Sequence, residues 1–279
     1  MALTLSLFAS VGQNGFGCYN RTTHNASRTA CACTDFRGLR VAFVSCDGPP
    51  VDGGFKELAV NGVDQALASG GGCFDILTTG GTCDSEPFAE AVDLVRGYQV
   101  VLAAGFNQME QMQAAAAQHP SSFFALVDVA FAGEATNNTQ GMNFAEDQAG
   151  YMAGYLAGSV TRTGVVGTVL GPELPPIRNF GNGFAKGALD ACRAARKQCV
   201  AYQKYVSDFN APARGALVAT RLASLGADVI FEAGGTTGSC ALVRASHIPS
   251  VAAVIGVDVD RSLYPASCLG SSVVRGAAA

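Results

Sequence analysis

Leu39-Arg40-Val41-Ala42-Phe43-Val44-Ser45, followed after an interval of six residues by Asp52-Gly53-Gly54-Phe55-Lys56-Glu57, decides the fold of this chain. The first stretch is apolar, rich in β-branched and aromatic residues, and ended by Asp47-Gly48-Pro49-Pro50, the marks of a strand running into a turn. From Glu57 to Leu67 the pattern changes to that of a helix, with Leu58, Val63, Ala66 and Leu67 near one face. Two acids, two glycines and an aromatic therefore fall in one strand-to-helix loop. Ligands of open parallel sheets bind where such loops leave the carboxyl ends of the strands. A solvated turn is the plainer reading of the same spacing.

Outward from this unit, strands and helices alternate. Apolar runs predict strands at Phe74–Thr79, Gln99–Ala104 and Phe123–Asp128, with helices over 85–96 and 109–118. The strands are apolar almost throughout, as expected when helices cover both faces. The pattern then restarts. Helices are predicted over 145–160, 184–196 and 213–225, and strands at Gly164–Leu170, Cys199–Tyr202, Ala227–Phe231 and Val251–Val257. This is an α/β chain of two lobes, each a doubly wound, mostly parallel sheet. The expected divisions are a polar, cysteine-containing N-terminal segment (1–38), a first lobe (39–140), a second lobe (141–267) and the start of a crossover back to the first (268–279). The lobe interface is the default ligand site. Gly150, Gly154 and Gly158, spaced by four, predict close packing of their helix on a sheet.

Composition narrows the function. Only 14% of residues are charged, against roughly 25% in an average soluble protein, so the chain reads as tightly packed rather than disordered. A net charge of −4 disfavours a nucleic-acid partner. The three histidines lack metal-ligand spacing and no Cys-x-x-Cys occurs, so no metal or other cofactor is expected. Nucleophile-elbow, Walker and dinucleotide patterns are absent as well. Ten cysteines in local groups predict disulfides and an extracytoplasmic location, with buried free thiols as the alternative. Cys73 with Cys83 and Cys192 with Cys199 are candidate local pairs, whereas Cys18, Cys31, Cys33 and Cys46 cluster without an assignable pairing. Sequons at Asn20, Asn25 and Asn137 fit exposed loops. Ala2–Ala9 is an apolar run with no basic residue before it, so a signal peptide is not clearly present. No stretch of 18 apolar residues occurs. The glycines of Ala233-Gly234-Gly235-Thr236-Thr237-Gly238 would let backbone N–H groups approach a ligand at a helix start, or simply make a tight turn.

Further signatures run through most of the chain. They are Asp47 with Asp52-Gly53-Gly54-Phe55, Gly105-Phe106, Asn143-Phe144-Ala145-Glu146-Asp147-Gln148-Ala149-Gly150, Asn179-Phe180-Gly181-Asn182-Gly183-Phe184, Gly226-Ala227-Asp228-Val229-Ile230-Phe231, and Ile255-Gly256-Val257-Asp258-Val259-Asp260-Arg261. In order and spacing they resemble the basic membrane protein family, the nucleoside-binding lipoproteins of bacterial uptake systems. The resemblance implies a class I periplasmic-binding-protein fold closing on a purine nucleoside. Asp47 would lie by the base, Phe55 and Phe209 would sandwich it, Asp258 would accept from ribose hydroxyls, and Arg275 stands where a lysine commonly contacts the sugar. Lys56, Glu110, Ala211 and Ser239 depart from the pattern, so the base recognised is left open; Lys56, Glu110 and Gly235 complete the candidate ligand set. The family continues beyond Arg275, so the chain is expected to be truncated at its C-terminus and less stable than a complete relative. The expected function is non-enzymatic, extracytoplasmic capture of a nucleoside-like small molecule. Its partner would be a membrane permease or a receptor signalling domain in the same chain. A ligand-sensing ectodomain and a nucleoside-processing α/β enzyme are the alternatives.

Overall fold

A computed structural model describes residues 17–20, 25–27, 33, 36–46, 50, 54–78, 95–131, 136–261 and 268. The chain divides into two units, one ending at Phe144 and one beginning at Ala145. The first is built on a sheet of β1 (Gly17–Asn20), β2 (Asn25–Ser27), β3 (Arg40–Ser45), β4 (Cys73–Thr78), β5 (Val100–Ala104), β6 (Phe123–Val127) and β7 (Thr139–Met142). Their order is β2-β1-β4-β3-β5-β6-β7. From β4 to β7 the neighbours are parallel, while β1 runs antiparallel to both β4 and β2. Residues before 39, expected as a separate segment, thus add two strands to one edge of the sheet. At the other edge β7 extends the unit to Phe144 rather than residue 140. Thr139-Gln140-Gly141-Met142 carries no apolar run because, among the described residues, it is an edge strand paired on one side.

Helices α1 (Phe55–Gly70) and α2 (Met109–Gln118) accompany this sheet. Alternate side chains of β3 enter different cores. Phe43 joins Val60, Ile76 and Ala104, whereas Ala42 and Val44 join Leu77, Met112, Ala115 and Phe124. That is why the strand is apolar at four successive positions, Val41 to Val44, rather than at every second one. Most of the helix expected over 85–96 lies outside the described residues; Val95 and Arg96 belong to a turn closed by the Tyr98 N–H on the Val95 carbonyl, 3.0 Å. Buried Asp75 on β4 accepts from the Tyr98 hydroxyl at 2.6 Å and from the Cys33 N–H at 3.1 Å. Burial and the adjoining carboxylate push the Tyr98 hydroxyl well above its ordinary value.

Cys73 is bonded to Cys33, not to Cys83, which lies outside the described residues. The reason is register: β4 starts beside the start of β3, with the Cys73 N–H on the Leu39 carbonyl, so the segment before β3 passes next to Cys73. Cys46 is also disulfide-bonded. Cys192 and Cys199 form the expected local bridge, and Cys240 pairs with Cys268.

The second unit has a parallel sheet of β8 (Val165–Leu170), β9 (Val200–Tyr205), β10 (Val229–Ala233) and β11 (Ala253–Ile255) in the order β11-β10-β8-β9. Its helices are α3 (Glu146–Val160), α4 (Pro175–Ala194), α5 (Pro212–Ser224) and α6 (Gly235–Ser246). Helix α4 starts at Pro175, well before the expected residue 184. Pro175 and Pro176 stand in its first turn, where their missing N–H groups would be unpaired anyway. The glycines of α3 face α4 and not a sheet. A Cβ on Gly150, Gly154 or Gly158 would overlap the carbonyl oxygens of Phe180, Phe184 or Ala188, and one on Gly183 or Gly187 those of Asp147 or Tyr151. Glycines on both helices thus bring the two backbones into contact. Spacing by four revealed a close interface but not its partner.

Asp228, just before β10, fastens the turn between α3 and β8. It accepts from the Thr161 hydroxyl at 2.5 Å and from the N–H groups of Arg162 and Thr163 at 2.7 and 3.1 Å. Burial would raise its pKa, but these donors more than offset burial and hold it below the ordinary value.

Two stability measurements check this account. Gly154→Ala should destabilise the second unit by about 1–3 kcal/mol through overpacking, while Gly62→Ala, whose added methyl meets nothing within 4 Å, should stabilise α1 by up to about 1 kcal/mol; urea unfolding midpoints report both. Because the folded pKa of Asp228 is depressed, its contribution is present above the unfolded value near 3.8 and lost as pH falls through the folded one. Asp228→Asn should therefore cost stability at about pH 6, and the wild-type minus variant difference should shrink as pH falls below the ordinary carboxylate range.

Candidate functional site

In the second unit the candidate residues gather at the carboxyl ends of the parallel strands. Phe209 lies in the segment after β9, 40% exposed and outside the buried core. Its ring lies against Gly171 at the end of β8, where a Cβ would overlap it, and beside Gly235, where a Cβ would come within 3.6 Å of Cδ1. Gly235 opens α6 with φ +59°, a conformation that favours glycine. The segment is pinned to the start of that helix. The Phe209 carbonyl accepts the Thr237 N–H at 2.9 Å, and the Thr237 hydroxyl donates to the Asp208 carbonyl at 2.6 Å while accepting the Ala211 N–H at 2.8 Å. The other two glycines of the run serve packing. A Cβ on Gly234 would crowd the Gly171 nitrogen at 3.0 Å, and one on Gly238 would overlap the Glu232 carboxylate.

Asp258 follows β11, in the left-handed region with φ +69°. Arg261 contacts it through Nη2, 3.4 Å from Oδ2, and reaches fully buried Glu232 through Nε, 3.4 Å from Oε1. Glu232 Oε2 accepts the Gly234 N–H at 3.1 Å. Burial pushes the Glu232 carboxyl up to about 7, against the opposing pull of Arg261 and the Gly234 and Val257 N–H groups. Glu232 and Arg261 were not singled out from the sequence. The available signal was a carboxylate at the penultimate position of an otherwise apolar strand.

In the first unit, Phe55 and Lys56 are the opening residues of α1 rather than loop residues. Phe55 is half-buried against Phe43, Val60, Ile76 and Ala104, and a Cβ on Gly105 would lie 3.8 Å from its Cε1. Gly105 leaves β5 with φ +103° and leads through Phe106–Gln108 into α2, whose first turn carries exposed Glu110. Phe55 and Glu110 thus follow the carboxyl ends of adjacent strands β3 and β5. Asp47 and Arg275 lie outside the described residues. Among the described residues no cluster of His, Cys, Asp and Glu is arranged to hold a metal ion. No described helix is long and apolar enough to cross a membrane.

A family model described as ABC transporter substrate-binding protein PnrA-like matches residues 40–277. The chain belongs to this Bmp family. It is 27% identical over 228 residues to Basic membrane protein A of Borreliella afzelii, covering 81% of this chain and 68% of that protein. It is also 27% identical to the ABC transporter nucleoside-binding protein BmpA of Lactococcus lactis subsp. cremoris, over 60% of this chain and 47% of the relative. The chain thus spans roughly half to two thirds of the length of these Bmp relatives. Among solved structures, the ABC transporter solute-binding proteins of Aeropyrum pernix K1 match with TM-score 0.67 at 22% identity, over 75% of this chain and 58% of that one. This likeness shows the periplasmic-binding-protein fold that the sequence led us to expect.

If Thr237 holds the Phe209 segment as described, Thr237→Val should destabilise the second unit by about 1–3 kcal/mol, because it strands the Ala211 N–H and the Asp208 carbonyl. Hydrogen exchange at the Ala211 amide should speed up in parallel. Unchanged exchange there would contradict the pinning.

Proposed function

We propose that this chain is the ligand-binding part of an extracytoplasmic solute-binding protein that captures a purine nucleoside for uptake through a membrane permease. The observation that carries the reading is Phe209. An aromatic ring left partly open, seated on two glycines at the carboxyl ends of parallel strands, is a stacking platform rather than a core residue. Asp258, at the end of another strand of the same sheet, supplies a carboxylate suited to take two hydroxyl donors of a ribose. Phe55, beside Gly105 in the first unit, offers a second aromatic surface. Membership in a family of transporter substrate-binding proteins supports solute capture, and the Lactococcus relative is named as nucleoside-binding. Disulfides in both units fit an oxidising compartment.

Titration calorimetry with adenosine, guanosine, inosine, uridine, adenine and ribose tests this directly. Purine nucleosides should bind more tightly than free base or free sugar, and no heat with any of them would overturn the reading. Phe209→Ala and Phe55→Ala should each weaken purine nucleoside binding by about 5- to 150-fold, the range expected for loss of one base–aromatic stack. Asp258→Asn should mainly reduce discrimination between ribonucleosides and their deoxy analogues. A Phe209→Ala variant with lowered melting temperature but unchanged affinity would make that ring structural only.

A further inference from the structure

Beneath the proposed ribose carboxylate lies a buried charge network that the solute-binding reading does not use. Glu232 is fully buried at the end of β10, and its Oε2 accepts the Gly234 N–H that opens the turn into α6. The Val257 N–H lies near enough to favour the ionised carboxylate, so Glu232 senses the exits of both β10 and β11. Its Oε1 and the Nε of Arg261 face each other at 3.4 Å, and neither buried atom has a hydrogen-bond partner among the described residues. The other end of the same guanidinium approaches Asp258. Two glycines clear this path. A Cβ on Gly238 would overlap Glu232, and one on Gly256 would lie 2.5 Å from the Arg261 Cγ.

We propose that Glu232 is a positioning residue, acting through the shared guanidinium of Arg261 to set how strongly Asp258 is engaged and hence how well it accepts hydroxyl donors from a ligand. With Glu232 ionised, Arg261 divides its charge between two carboxylates. With Glu232 protonated, the guanidinium turns wholly to Asp258 and competes with the ligand for its oxygens. Among the described residues the charged groups facing Glu232 are Arg261 and Asp258, both from the segment after β11. The turn into α6 presents the Gly234 N–H, α6 itself brings Gly238 against the carboxylate, and β8 places Val169 in register beside it. The burial that raises the Glu232 carboxyl to about 7 puts this exchange in the neutral range. Affinity for a vicinal diol therefore rises with pH through that range.

The inference rests on Asp258 receiving ligand hydroxyls, so its test has a part that needs no ligand. Carboxyl carbon-13 NMR of the full chain should show the Asp258 signal shifting in step with the titration of Glu232. That step should vanish in Glu232→Gln. An Asp258 signal indifferent to Glu232 overturns the proposal. Adenosine is the binding probe. Its affinity for the wild type should rise about 3- to 10-fold from pH 6 to pH 8, be flat in Glu232→Gln, and keep a rise in Glu232→Asp. A merely structural Glu232 would lower stability in Glu232→Gln without changing the slope with pH, and that result also overturns the proposal. If adenosine does not bind the wild type while Asp258 still follows Glu232, the nucleoside reading fails and the coupling stands. Should Glu232→Gln not fold, Gly256→Ala, which displaces the Arg261 stem and leaves both carboxylates, must abolish the same NMR step.

Discussion

Burial of parallel strands on both faces constrains everything else in this chain. In β10, Val229 and Phe231 enter the core beneath α3 and α4, while Ile230 enters the one beneath α5 and α6. Polar groups within such a strand would lose water without gaining partners, at a cost of roughly 1–3 kcal/mol each in proteins. Chemistry is therefore driven to the strand ends. Phe209, Gly235 and Asp258 follow β9, β10 and β11, and Phe55 and Gly105 follow β3 and β5. The fold does not choose a ligand, but it fixes where recognition groups can stand.

Glycine does the complementary work. Between α3 and α4 it removes the side chains that would hold two backbones apart, and at Gly171 it gives an aromatic ring a flat seat. Positive φ is needed at few of these places, Gly105 and Gly235 among them. Elsewhere the demand is for space. A chain with 34 glycines can thus be helical through Gly181, Gly183 and Gly187, because contact with neighbouring elements offsets the weak helix propensity of each.

That distinction also explains how much could be read without coordinates. Strands β3 to β6 and β8 were legible to within about two residues because continuous apolar runs between turn residues have few other uses. Strand β7 was not, since a polar edge strand looks like a linker. The start of α4 was hidden by prolines and glycines whose meaning depends on a neighbouring helix. Cys33–Cys73 is non-local and follows from strand register, which no spacing reveals. For the site, Phe209 and Asp258 were reached through family resemblance and not from periodicity. Glu232 escaped both routes, because a carboxylate beside a glycine turn looks solvent-facing until α6 is laid over it, and Arg261 stood in a family signature without a role of its own.

The two buried carboxylates of the β10 region show how differently the ends of one strand are used. Asp228, at the amino end, meets a hydroxyl and two N–H groups, so its depressed pKa adds stability that persists at all pH values above the ordinary carboxylate range. Glu232, at the carboxyl end, is desolvated beyond what its partners offset, so its pKa is raised. The linkage therefore has the opposite sign. The proton on Glu232 stabilises the fold fully below the unfolded value near 4.5, and this contribution is lost as pH rises through about 7. The ionised form, which leaves Arg261 shared and Asp258 less engaged, is the form least favourable to folding. A strained, desolvated charge at a strand end is a cost that packing alone would not require, and opposition between stability and function of this kind is common at binding sites. Asp228 anchors the structure from one end of β10 so that Glu232 can be held poised at the other.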